Sequence, residues 1–196
     1  MIKIEDNFLD QENFNKLQDL MMGPRLQWNF GDGISSKDDL FQFVHLIYQD
    51  HAPCSMLFQE LFPLIEKIKP WALWRIKANL FTRTSNIIEN FLHVDMQNIS
   101  EEQMKQWTTS IFYVNTNNGY TKFEDGTTAE SVANRMVTFP TNMAHYGSSC
   151  TDEKTRLNIN FNYFSWDRVK TTKYRVYDKE KGGLTPKSNE FIRVNE

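Results

Sequence analysis

Residues 156 to 164 read RLNINFNYF. At period two, Leu157, Ile159, Phe161 and Tyr163 fall on one face and Arg156, Asn158, Asn160 and Asn162 on the other. The alternation specifies a strand, although asparagine is depleted in strands. An apolar face this complete must be buried. The polar face must then meet either solvent or a wet interior, and no other stretch of the chain constrains the fold as much. From residue 71 onward the sequence offers more runs of the same kind: WALWRIKANLF, FLHVDM, WTTSIFYVN, GYTKF, NRMVTF and MAHYG, separated by Asn, Gly, Ser, Thr and Asp. Short β-rich runs at this spacing predict a sandwich or jelly roll.

Helical patterning is confined to the first seventy residues. Asp10 is placed to cap a helix over 11–22 with Phe14, Leu17 and Met21 on one side. LQWNF then ends at Gly31-Asp32-Gly33, a turn signal. Leu57, Leu61, Leu64, Ile65 and Ile68 form a second helical stripe, with Ser55 as a possible cap and Pro63 kinking or restarting the helix. The expected fold is mainly β with flanking helices (α+β). Residues 1–70 give helical support packed on one sheet, 71–165 the β core, and 166–196 a peripheral extension of the same single domain.

Composition narrows the function classes. A chain of 196 residues with 40% apolar and 14% aromatic residues can enclose a core. The net charge of −3 supplies no basic field for nucleic acid or a membrane surface. The start, MIKIEDNFLDQ, lacks the apolar segment of a signal peptide, and no apolar run is long enough to span a membrane. Two cysteines, Cys54 and Cys150, make no disulfide framework. The expectation is a reduced, cytoplasmic protein.

Four histidines are present. His45 and His51 have no partner at ligand spacing and are read as structural. His93 has Asp95 two positions on, in FLHVDM, and on a strand the two would point to the same side about 6.5–7 Å apart. His145, in MAHYG, supplies a possible third ligand. Two histidines and a carboxylate suit a non-haem iron with open positions, and zinc with a bound water is chemically possible on the same set. A hairpin between 143–147 and 155–163, turning through GSSCTDEKT, would place His145 opposite Arg156. The polar face of RLNINFNYF would then be the interior of the roll, with an arginine fork suited to a carboxylate.

HVD at 93–95, a histidine fifty residues later and an arginine eleven beyond that resemble the Fe(II)/2-oxoglutarate-dependent dioxygenases. More narrowly they resemble the prolyl-4-hydroxylase-like branch, including small versions from phages and marine microbes. TTSIFYVN with the following Asn118-Gly119 and TKF, VTFPTNMAHYG, and RLNINFNYF are similar to that branch's motifs in the same order, over roughly residues 71 to 165. The resemblance implies a double-stranded β-helix core with iron on His93, Asp95 and His145. It implies 2-oxoglutarate as co-substrate, its far carboxylate on Arg156 with help from Tyr113, and O2 as oxidant with ascorbate as a candidate reductant. The implied reaction hydroxylates a peptidyl-prolyl or small amino-acid-like substrate with release of succinate and CO2, in the host cytoplasm if the chain is phage-encoded. Three features depart from the branch: RIKANLF offers Lys77 and Asn79 where a tyrosine is common, Gly119-Tyr120 replaces a double glycine, and the TRTSNIIENF loop is long.

Two other readings compete. One is an oxygenase of the same chemistry acting on nucleic acid, which the acidic composition disfavours. The other is a non-enzymatic jelly roll that binds or builds, which the inward-polar strand disfavours because a dry core would leave those groups unpaired.

Overall fold

The computed structural model describes residues 1–34, 40–96, 100–165, 174–178 and 183–187. Strand β1 (Lys3–Glu5) leads into helix α1 (Gln11–Met22), whose first turn is closed by the Asp10 carboxylate accepting from the Asn13 amide at 2.9 Å. Strands β2 (Asn29–Gly31), β3 (Gln42–Gln49) and β4 (Ala52–Pro53) follow, then helices α2 (Leu57–Glu60) and α3 (Phe62–Ile68). Pro63 restarts the helix instead of bending it: α2 ends before Leu61 and Pro63 sits in the first turn of α3. Met56, not Ser55, stands at the capping position of α2, and the Ser55 hydroxyl one residue earlier accepts from the Leu57 amide at 3.2 Å.

The longest strand, β5 (Pro70–Thr82), opens the β-rich part. The short helix α4 (Glu101–Met104) precedes β6 (Trp107–Tyr113), β7 (Tyr120–Phe123), β8 (Thr128–Glu130), β9 (Arg135–Pro140), β10 (His145–Gly147) and β11 (Thr155–Ser165). The major sheet runs β1-β9-β6-β11-β5-β3-β2, with β4 on the end of β3, and the minor sheet runs β10-β7-β8. Every pairing is antiparallel. Two sheets of this kind, one backed by helices, are the expected jelly-roll core. After β11, β12 (Tyr174–Asp178) and β13 (Gly183–Lys187) pair with each other, and the rest of 166–196 lies outside the described residues.

RLNINFNYF becomes β11, the strand between β5 and β6, and both its faces are buried. Leu157, Ile159, Phe161 and Tyr163 join Phe14, Leu17 and Met21 of α1, Leu64 of α3, and Ile76 and Phe112 of the neighbouring strands in one dry core. A second, smaller cluster of Ile111, Tyr113, Phe123, Val137 and Phe139 lies between the sheets. The polar face of β11 also points between the sheets, where Arg156 pairs with Phe81, Asn158 with Asn79, Asn160 with Lys77 and Asn162 with Arg75 along β5.

Three expectations are corrected. His145 and Arg156 do not share a hairpin: β10 pairs with β7, setting His145 against Phe123, while β11 pairs with β5 and β6. GSSCTDEKT is a crossover between the sheets, and its polar residues serve loop hydrogen bonds. Asp152 accepts from the Asn118 amide with both oxygens at 3.0 Å, and Ser149 Oγ accepts from the Ile88 amide at 2.9 Å. FLHVDM is not a regular strand, since only His93 forms a bridge and Asp95 lies in a bend. Finally, the first seventy residues add four strands to the major sheet as well as helices. FQFVHLIYQ forms one of these, with His45 satisfied by the Gln27 carbonyl and Ser55 hydroxyl, both at 2.7 Å.

Candidate metal and co-substrate site

His93 and His145 are brought together by their backbones. The His93 amide donates to the His145 carbonyl at 3.0 Å and the His145 amide returns the bond at 2.9 Å. The preceding loop zips along the same edge, with Asn90 N donating to Gly147 O and Ser149 N to Ile88 O, each at 2.9 Å. TRTSNIIENF therefore behaves as an added edge on the minor sheet, which is what its length supplies. The two imidazole centroids stand 5.0 Å apart. One ligand atom from each of His93, Asp95 and His145 lies within 4.8 Å of the others.

The tautomers follow from the partners. His93 Nδ1 lies 2.9 Å from the Phe91 carbonyl and His145 Nδ1 lies 3.2 Å from the Met143 carbonyl. A carbonyl can only accept, so each Nδ1 donates there, and in the neutral ring this leaves the Nε2 lone pair for a metal. This is how metal-ligating histidines are held. Asp95 Oδ2 accepts from Asn162 Nδ2 at 3.1 Å, which leaves Oδ1 for another partner, with Arg75 at 3.9 Å. Asn162 is itself fixed by Arg75 Nε donating to its Oδ1 and by its own amide donating to Thr109 Oγ1, both at 3.1 Å. Arg75 also donates to the Asp95 carbonyl at 3.3 Å.

Electrostatics keep the triad ready to bind a cation. Burial works to raise the Asp95 pKa, but the His145, Arg75 and His93 charges and the Asn162 hydrogen bond outweigh it and bring the pKa down to about 2. Burial lowers the His145 pKa, favouring the neutral ring a metal needs. The residues fit a divalent transition metal: two imidazole nitrogens and one carboxylate oxygen, with an arrangement of partners that orients all three.

Beyond the triad, Lys77, Asn79, Arg156, Asn158 and Asn160 line the same cavity, which is partly open to solvent. Arg156 is 1% exposed. Its Nε donates to Ser131 Oγ at 2.8 Å and its Nη2 to Thr121 Oγ1 at 3.1 Å, and it lies over the rings of Phe81 and Tyr113. Among the described residues no carboxylate stands within ion-pair distance of it. A buried charge without a counter-charge is costly, so the site fits an incoming anion. Tyr113 donates to Thr121 Oγ1 at 2.7 Å, so it supports the hydroxyl on which Arg156 rests. Burial raises the Tyr113 pKa against the opposing influence of Arg156.

The sequence departures are accommodated. A Cβ at Gly119 would sit 2.6 Å from Arg156 Cδ, so glycine is required there, whereas Tyr120 turns its hydroxyl to Glu89. The structure places four of the five residues singled out in the sequence, His93, Asp95, His145 and Arg156, in the lining of one cavity, and sets Tyr113 behind it, where it touches Thr121. It adds Asn162, Arg75 and Thr109, whose roles sequence reasoning missed. The alternation had already put Asn162 on the polar face, but its partner Arg75 becomes visible only with the β5–β11 register.

No protein-family model matches the sequence, and no curated protein matches it either. Solved structures do match in fold. The viral collagen prolyl hydroxylase vCPH from Paramecium Bursaria Chlorella virus-1, solved as a 2OG complex, superposes with a TM-score of 0.57 at 11% identity, covering 84% of this chain and 96% of that one. A 2OG-Fe(II) oxygenase family oxidoreductase from Burkholderia pseudomallei gives a TM-score of 0.57 at 9% identity, covering 83% and 84%. The non-haem alpha-ketoglutarate-dependent epimerase SnoN from nogalamycin biosynthesis gives 0.58 at 10% identity, covering 84% and 78%. The chain has the double-stranded β-helix fold of the Fe(II)/2-oxoglutarate oxygenases.

Proposed function

We propose that this chain, folded as the Fe(II)/2-oxoglutarate oxygenases are, is itself an oxygenase that uses Fe(II), 2-oxoglutarate and O2 to hydroxylate a peptidyl-prolyl or small amino-acid-like substrate. The observation that carries the reading is a buried, carboxylate-free guanidinium in the same cavity as a triad whose ligand atoms converge. His93 Nε2, His145 Nε2 and an Asp95 oxygen would hold the iron. Arg156 would hold the far carboxylate of 2-oxoglutarate, with Thr121 and Tyr113 fixing the guanidinium. When bound, iron and 2-oxoglutarate supply O2-dependent oxidation coupled to decarboxylation to succinate and CO2.

The chain's own residues supply position and shielding. Asn162 and Arg75 hold Asp95 so that one oxygen stays available, and the two carbonyls behind the histidines fix their rings. The second apolar cluster adjoins the cavity through Ile111, which belongs to both. Ascorbate is the reductant we would include in an assay. A binding module would have no use for an orphaned buried cation beside a metal-ready triad, which favours the enzyme reading. Hydroxylation is preferred to other outcomes because prolyl hydroxylases recur among the structural matches, including one from Trichoplax adhaerens solved with a hypoxia-inducible-factor peptide at a TM-score of 0.53. The test is Fe(II)-dependent conversion of 2-oxoglutarate to succinate. Turnover should be present in the wild type and absent in a folded His145→Ala variant, whereas equal turnover in both would overturn the reading.

A further inference from the structure

The cavity holds one more cation than the iron and co-substrate reading uses. Lys77 lines it from β5, opposite Asn160 of β11. Among the described residues no carboxylate pairs with Lys77. Of the Asp95 carboxylate, Oδ2 accepts from Asn162 and Oδ1 is the oxygen the proposed metal would take. Two carbonyl oxygens in the same lining, Asn79 Oδ1 and Asn160 Oδ1, are buried with no hydrogen-bond partner. Buried polar groups in folded proteins are nearly always satisfied, so three unmet demands, one for an anion and two for donors, lie on one wall.

The co-substrate does not meet them. Arg156 pairs with Phe81 and Asn160 with Lys77, so the two cations are four residues apart along the ladder, about 13 Å at Cα. With the co-substrate's far carboxylate on Arg156 and its other end at the triad, both its charges are used. Lys77 and the two carbonyls remain.

Resting on that functional reading, we propose that the cavity takes a second carboxylate, that of a free amino acid or similarly small acid, on Lys77. The amino or hydroxyl donors of the same molecule go to Asn160 and Asn79. The substrate is then a small free acid and not an internal prolyl residue of a peptide, whose α-carboxylate is tied up as an amide.

The probe is trifluoroacetate, the smallest convenient carboxylate, followed by ¹⁹F NMR on protein loaded with Zn(II) as a redox-silent metal and saturated with 2-oxoglutarate. The wild type should broaden the line saturably, and neutral trifluoroethanol should be unaffected. Lys77→Met should abolish the broadening and Lys77→Arg should retain it. Both variants should keep the 2-oxoglutarate affinity of the wild type, which also shows that they are folded. Absent broadening in the wild type, or equal broadening in Lys77→Met, overturns the assignment. So does a loss of 2-oxoglutarate affinity of about tenfold or more in Lys77→Met, because Lys77 would then belong to the co-substrate. If 2-oxoglutarate shows no saturable binding at all, the functional reading fails and this inference falls with it. The 2-oxoglutarate isotherm tells the two failures apart.

Discussion

Replacing Arg156 by methionine separates a structural arginine from a ligand-binding one. In the ligand-free protein the guanidinium is buried with two neutral hydroxyl acceptors and no carboxylate. Hydrogen bonds from a charged donor contribute about 1.5–3 kcal/mol each. Burying the ion costs several kcal/mol, so the two nearly cancel. Methionine fills most of the same volume, and Thr121 keeps its bond from Tyr113. The ligand-free stability of Arg156→Met should therefore lie within about 2 kcal/mol of the wild type, on either side. Ligand binding should respond very differently. Leaving a buried carboxylate without its partner costs about 3–5 kcal/mol, which corresponds to a fall in 2-oxoglutarate affinity of roughly a hundredfold to a few thousandfold. Urea denaturation of metal-loaded protein, with and without 2-oxoglutarate, reads both quantities. At a hundred times its Kd, the ligand should add about 2.7 kcal/mol to the wild type and at most about 0.4 kcal/mol to the variant. A variant that loses more than about 4 kcal/mol without ligand, yet gains as much from 2-oxoglutarate as the wild type, would refute the reasoning.

Asn162→Leu removes the donor that occupies Asp95 Oδ2, and metal affinity should fall about 10- to 100-fold while the 2-oxoglutarate partners of Arg156 stay intact; calorimetric metal titration checks this. Gly147→Ala places a Cβ 3.2 Å from Arg156 Nη1, displacing the guanidinium by a few tenths of an ångström, and 2-oxoglutarate binding should weaken by about tenfold with the fold retained. In metal-free protein the Asp95 pKa lies at about 2 against an ordinary 3.8, so folding favours the ionised form. That contribution, on the order of 2 kcal/mol, is complete above about pH 4 and is lost as the pH falls through 2; Asp95→Asn should flatten stability between these limits in acid denaturation.

Much of this was legible in the sequence because local rules and tertiary demands agree. Asp10 and Pro63 act through the backbone of their own helix turns, so α1 and the α2–α3 break could be read directly. The apolar half of β11 declared its burial through its alternation. The polar half was ambiguous, because water and a polar interior accept the same side chains. The partner strands decide it, and they are β5, far back in the chain, and β6. The same non-locality hid the hairpin error: a polar segment such as GSSCTDEKT looks alike whether it turns between neighbours or crosses between sheets. His93 and Asp95 were rightly paired for an incomplete reason. The backbone bridge to His145, not strand alternation, sets the geometry of the triad. The apolar residues of FQFVHLIYQ do not alternate cleanly, so local pattern alone does not specify a strand there, and its role as β3 depends on the edge of β5.

The most direct test of the central claim is anaerobic titration of metal-free protein with Fe(II) and then 2-oxoglutarate, followed by visible absorption. The proposed site predicts a weak charge-transfer band that appears only when both are present and is lost in His145→Ala and Arg156→Met. A folded protein that binds Fe(II) but gives no 2-oxoglutarate-dependent band, or a band unchanged by either substitution, would contradict it.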